Sequence, residues 1–175
     1  MTSTIRGSDN FDSSNKLTAG TAQNTTSGTA IDFTGIPSWA KRITLSFNSV
    51  STNGTTSLLV QVGSGSVSSS GYSAVSTQVS GTVGNSTAGV LSSVGFILYH
   101  NSALNVFSGS LVLTLVSNNT WVCSSTLYQS TGAYTGSCMS SGLAPTLVGA
   151  LDRVRITTTS GTDLFDAGSV NILYE

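Results

Sequence analysis

The sequence predicts an all-β domain, a two-sheet antiparallel sandwich of about eight to ten strands with a jelly-roll-like topology. Three observations carry that expectation. Apolar residues alternate with hydroxyl residues in many short runs separated by turn signals. No stretch of helical length places apolar residues at i, i+3, i+4 and i+7. Ser, Thr, Val and Gly dominate, and these are weak helix formers.

Taken in order, residues 1–26 are rich in Ser, Thr, Asn and Gly and show no sustained hydrophobic period, so they read as an arm or linker. The domain is expected over 27–175. "KRITLSFNSV" sets Ile43, Leu45 and Phe47 on one face and Arg42, Thr44, Ser46 and Asn48 on the other. "SLLVQV", "YSAVSTQV", "GFILYH", "GSLVLTLV", "TWVCSSTLY", "PTLVGA", "RVRITTT" and "GSVNILYE" follow as strands, with turns at "TNGT" (52–55) and "TTSGTD" (158–163). Three of these runs are apolar on both faces: Leu58–Val62, Phe96–Tyr99 and Leu111–Val116. Either loops cover a central strand, or a second face is buried between subunits; with near-zero net charge and few edge lysines, a homo-oligomer is expected.

Charge is confined to the chain ends. Residues 43–151, a run of 109, contain no Asp, Glu, Lys or Arg. Six basic residues against seven acids form no basic patch, which argues against nucleic acid as a partner. No segment approaches the roughly 18 to 20 apolar residues of a membrane span, and residues 1–20 carry no apolar signal region, so synthesis in a cytoplasm without membrane insertion is expected. Two cysteines, Cys123 and Cys138, make no disulfide framework, and in a reducing compartment they are expected to be thiols.

Acid–base or nucleophilic catalysis needs titratable groups brought together, and the sequence offers few. The single histidine, His100, shares a strand face with Phe96 and Leu98 and reads as structural or interfacial. No metal-binding spacing occurs, and no cofactor is implied. Asp152, Asp163 and Asp166 could converge as a calcium or acid site, but beside turns they read better as capping and ion-pairing groups. An enzyme is therefore not expected. Four N-x-S/T sequons are present, at Asn24, Asn53, Asn85 and Asn118, about what eleven asparagines give by chance in a chain that is one-third Ser and Thr.

The most distinctive neutral stretch is "NNTWVCSSTLYQSTGAYTGSCMSSG" (118–142). A turn at Ser130 and Thr131 would fold it as a hairpin, with Cys123 opposite Cys138 and Leu127 opposite Tyr134. Its aromatics, Trp121, Tyr128 and Tyr134, are either packing groups or a surface for neutral sugars, which bind by stacking and neutral hydrogen bonds.

Two long strings, "SGTAIDFTGIPSWAKRITLSFNSVSTNGTTSLLVQVGSG" (27–65) and "LDRVRITTTSGTDLFDAGSVNILYE" (151–175), resemble a domain at the C-terminal end of tail fibre and related virion proteins of tailed bacteriophages. Residues 66–150 resemble it only in pattern, as variable loops on a fixed scaffold do. The resemblance implies a homotrimer, exposed on the assembled particle after synthesis in the host bacterial cytoplasm. Ile31, Phe33, Ile43, Leu45, Phe47, Val154, Ile156, Val170 and Ile172 would build the scaffold. Arg42, Asp152, Arg153, Arg155 and Asp166 would lock its two ends, and Trp39 would plug one end of the sandwich. Two roles follow: a receptor-binding domain whose residues 1–26 dock on other virion proteins while Trp121, Tyr128 and Tyr134 meet a host-surface glycan, or a head decoration or head-fibre protein whose arm grips the capsid.

Overall fold

A computed structural model describes residues 17–81, 87–130 and 135–175. The chain runs through β1 (Thr18–Ala19), β2 (Gln23–Asn24), β3 (Ile31–Thr34), β4 (Arg42–Thr52), β5 (Leu58–Ser64), β6 (Ser66–Val67) and β7 (Ser73–Ser80). It continues through β8 (Thr87–Ser92), β9 (Phe96–Leu98), β10 (Val106–Ser117), β11 (Thr120–Ser130), β12 (Thr135–Leu143), β13 (Arg153–Thr158) and β14 (Phe165–Tyr174). There is no helix among the described residues. One sheet has the order β1-β14-β4-β10-β11-β12-β7-β8, with β2 also on β14. The other has the order β3-β13-β5-β6, with β9 also on β5. All pairings between consecutive partners are antiparallel, so the all-β, two-sheet expectation holds.

Period-two alternation decides which side chains meet. In β4 the apolar Ile43, Leu45 and Phe47 are buried while Arg42 and Ser46 are exposed. Ile172, Leu45 and Leu111 lie side by side across β14, β4 and β10 in the larger sheet. In the smaller sheet Phe33, Val154 and Val62 do the same across β3, β13 and β5. Both rows belong to one apolar cluster, in which all nine expected scaffold residues are buried and against which Trp39 packs partly buried. Truncating one of these side chains to alanine costs roughly 2–5 kcal/mol, because the interior is close-packed.

Polar groups tie the two sheets together. Ser76 Oγ on β7 accepts from the Tyr99 N–H at 3.0 Å and donates to the Met139 carbonyl at 3.0 Å. Gln129 Nε2 on β11 donates to the Tyr99 carbonyl at 3.1 Å. The residue that follows β9 is thus held by two strands of the facing sheet. Tyr72, just before β7, also reaches the smaller sheet: its Oη accepts from the Val62 N–H at 2.8 Å, and its ring meets Phe96 edge-on at 5.2 Å. Burial pushes the Tyr72 hydroxyl up to about 12, so it stays a neutral donor and acceptor.

Of the two explanations of the two-sided apolar strands, cover within one chain applies to β5 and β9. Gln61 Nε2, for example, donates to the Val94 carbonyl of an overlying loop at 2.7 Å. In β10 Leu111 and Leu113 are buried, whereas Val112 and Val116 face outward from the larger sheet.

Four expectations are revised. The folded region starts earlier than residue 27: Thr18 and Ala19 pair with Tyr174 and Leu173, Gln23 and Asn24 pair with Val170 and Ser169, and Thr25 is fully buried. Two-residue pairings carry no period, so their partner reveals them and their sequence does not; residues 1–16 lie outside the described residues. Among the described residues fourteen strands replace eight to ten, because the two-residue β1, β2 and β6, together with β3 and β8, add to the expected runs. "PTLVGA" is a loop rather than a strand, with Leu147 buried and Val148 96% exposed. The hairpin over 118–142 exists in a different register: Ser130 faces Thr135, Leu127 faces Cys138 and Cys123 faces Gly142. The connection is four residues, 131–134, instead of two. The shift moves each partner by four positions, an even number, so the faces are those the alternation dictates.

The charged residues gather where the chain ends meet. Arg155 grips Asp32 with two hydrogen bonds of 2.7 Å across β13 and β3, and Arg42 Nη1 lies 3.4 Å from Glu175. Asp166 accepts from Ser51 Oγ. Asp152 and Arg153 pair with each other, and Asp152 also accepts from the Gly65 N–H. Solvent-exposed pairs of this kind contribute about 0–1 kcal/mol each, so they fix register more than they stabilise.

The hairpin register sets an expectation for the thiols. Cys138 lies opposite Leu127, four residues from Cys123, or roughly 13 Å along the strand, whereas a disulfide needs Cα atoms within about 7 Å. Both thiols are buried; burial pushes Cys123 up to about 12 and raises Cys138 as well. An alkylating reagent at pH 8 is expected to leave both unreacted in the native protein and to label two per chain in denaturant. Zero labelled thiols after denaturation without reductant would contradict this register.

Candidate binding face

The three aromatics singled out in 118–142 do not form one surface. Trp121 is only 2% exposed, on the inward side of β11 opposite Leu115, so its ring is a packing group and is withdrawn from any sugar site. The reason is alternation: Trp121, Cys123 and Leu127 share the buried side of β11. Tyr128, one position out of phase, is 52% exposed on the outward side, opposite Ser108 and Ser137. Tyr134 lies outside the described residues.

Tyr128 belongs to the outer face of the larger sheet, and there the register assembles a site. One row runs Thr44, Val112, Ser124, Ser141, Val75 and Leu91 across β4, β10, β11, β12, β7 and β8. The next row includes Ser110, Thr126, Met139 and Thr77, and Tyr128 stands in the row after that, toward the β11–β12 connection. The two central rows line a groove of about 570 Å³. A second depression, about 660 Å³, adjoins it between Tyr72–Val75 and Leu91–Ser93. Bulges in β4 between Phe47 and Ser51, and in β14 between Phe165 and Ala167, add twist to this sheet.

The groove has one chemistry: hydroxyls set among methyl groups and a thioether. It holds no titratable side chain. It can therefore neither donate nor take up protons near neutral pH, and it suits a neutral ligand or surface that combines hydrogen bonds with apolar contact.

The titratable candidates lie elsewhere and apart. Asp163 accepts from Thr56 Oγ1 at 2.6 Å, the Thr56 N–H at 3.1 Å and Ser160 Oγ at 3.0 Å. It joins the turns at 52–55 and 158–163, with Gly54 directly beneath the carboxylate, where a Cβ has no room. These bonds, the Thr56 hydroxyl first, hold its carboxyl below the usual range. With Asp152 and Asp166 engaged as described, the three carboxylates cap and pair instead of converging. Among the described residues no group of three His, Cys, Asp or Glu side chains is placed to hold a metal ion.

His100 is 3% exposed and stacks on Phe107 at 5.7 Å. Burial lowers its pKa; the nearby Thr55 and Thr56 backbone and the Asp163 and Asp166 charges oppose that without reversing it. Neither ring nitrogen has a partner in full hydrogen-bond geometry. Thr52 Oγ1, Asn105 Oδ1 and Gln129 Oε1 are likewise unpartnered in the core.

Comparison of the chain with protein-family models, curated proteins and solved structures finds no match.

The groove went unnoticed in the sequence although its signal is there. Ser110 and Val112, Ser124 and Thr126, Met139 and Ser141, and Val75 and Thr77 are each the outward pair of a strand. What the sequence does not state is that these four strands are neighbours.

Burying neutral His100 makes stability depend on pH. The unfolded chain takes up a proton near pH 6.5 that the folded chain resists, so stability is fully present above that value and falls as pH drops below it. The slope is at most about 1.4 kcal/mol per pH unit. Urea midpoints are expected to fall between pH 7.5 and 5 in the wild type and to stay flatter in His100→Gln. Asp152 and Asp163, with lowered pKa values, contribute their losses only below about pH 4. Identical pH profiles for wild type and variant would refute a neutral buried His100.

Proposed function

We propose that this chain is a virion structural protein of a tailed bacteriophage, a tail fibre-type, jelly-roll-like sandwich that assembles as a homotrimer and binds a host-surface receptor, a neutral glycan. The observation that carries the receptor reading is the uncharged outer face of β10, β11, β12 and β7, with Tyr128 half exposed beside a groove of hydroxyls. A sugar presents hydroxyls and C–H faces, and such a surface offers both complements without dependence on salt. The resemblance of 27–65 and 151–175 to tail fibre domains supports the virion assignment. Residues 1–26 then divide: 17–26 dress the edge of β14, and the segment before them attaches to other virion proteins.

A head decoration or head-fibre protein, its arm gripping the capsid, is the second reading. Both readings use the same trimer, and neither needs catalysis, metal or cofactor.

Light scattering at micromolar concentration is expected to give three times the 17.8 kDa chain mass, and a stable monomer would overturn the trimeric reading. Labelled protein is expected to bind host cells and slow adsorption of intact phage. Tyr128→Ala removes about 1 kcal/mol of stacking per site, a loss that three linked sites multiply. Tyr134→Ala tests the same connection. If the wild type ignores cells yet saturates capsids stripped of it, the decoration reading replaces the adhesin. If it binds cells and both alanine variants bind equally well, the receptor lies on another face.

A further inference from the structure

We infer that β8 and the groove are the two halves of one contact between copies of this chain: the uncharged edge of β8, led by Leu91, seats in the groove of a neighbouring copy. The inference rests on the oligomeric reading above and names the surfaces that make it.

β8 is the last strand of its sheet, and no described strand lies beyond it. An edge strand presents a row of N–H and C=O groups that templates association unless charge, proline, a bulge or shortness prevents it. The other edges carry such devices. β1 and β2 are two-residue strands, β6 is two residues after Gly65, and β9 is three. β3 carries Asp32 in its ion pair with Arg155, and Pro37 follows it. β8 has six residues, no charge, no proline and an unbroken register with β7. Leu91 stands 79% exposed at its end.

The groove selects the occupant by charge. Ser110, Ser124, Thr126 and Ser141 surround Val112 and Met139, with no ionic group to meet a charged ligand that has given up its water. Hydroxyls donate and accept, so they can satisfy either backbone group of a docked strand edge. A neutral edge with a projecting leucine matches that lining, and this chain supplies one in its own uncharged block. Tyr128, one row further along, stays at the rim, free for a receptor.

The test is a charge exchange. Leu91→Glu and Ser124→Lys are each expected to weaken association at least tenfold in sedimentation velocity, by placing an unpaired charge in the contact. Within one chain positions 91 and 124 are three strand spacings apart, about 14 Å, too far to pair. The double variant is therefore expected to recover assembly, the carboxylate introduced at position 91 of one copy meeting the ammonium introduced at position 124 of the next, and to lose it again in high salt. Recovery also excludes misfolding as the cause of the single losses. Val148→Glu, at the most exposed apolar side chain of the 145–150 loop, is expected to leave assembly unchanged. If the wild type associates and neither single variant weakens it, or the double fails to recover, the contact is overturned. A wild-type dimer that follows the same pattern keeps the contact and discards the trimer; a monomer at all concentrations removes both.

Discussion

Both sheets are completed by the last 25 residues. β13 is the interior strand between β3 and β5, and β14 is the strand on which β4, β1 and β2 all pair. Every one of these pairings except that with β5 joins residues more than 100 positions apart. The entropy of closing such loops is a cost that these pairings have to offset. That closure anchors the early strands and brings Asp32 to Arg155 in one sheet and Arg42 to Glu175 in the other.

Neutrality in the middle of the chain has a structural cost that the core makes visible. With few ions available, the interior bridges its layers with hydroxyls and amides. Ser76 and Gln129 succeed, each bridging to the Tyr99 backbone of the facing sheet. His100, Thr52, Asn105 and the Oε1 of Gln129 are less well matched, leaving polar atoms unpartnered in the core. Each such atom costs on the order of 1–3 kcal/mol against a satisfied one.

How much of this the sequence discloses depends on the range of the interaction. Alternation in β4, β13 and β14 names their core residues outright, because period two depends only on neighbours along the chain. The same rule, applied to β11, places Trp121 inside and Tyr128 outside; reading the hairpin's aromatics as one set ignored it. Register is less legible. Only the length of the connection separates Cys123 opposite Cys138 from Cys123 opposite Gly142, and a Ser/Thr/Gly-rich turn does not announce its length. β1 and β2 are illegible, being two residues each and defined by β14. The groove is legible strand by strand and invisible as a whole, since β10, β11, β12 and β7 become adjacent only when the sheet forms.

The uncharged groove also sets how a partner arrives. A surface without ionic groups casts no field beyond a few ångströms, so nothing draws a partner in from a distance or turns it to the right orientation. Encounters happen by unguided diffusion, at roughly the 10⁵–10⁶ M⁻¹s⁻¹ typical of neutral surfaces rather than the far higher rates of charged ones. Such a face is slow to find its partner and indifferent to the medium in which it searches. Its discrimination has to come after contact, from the shape and spacing of hydroxyls and methyls, and is read in how long a partner stays.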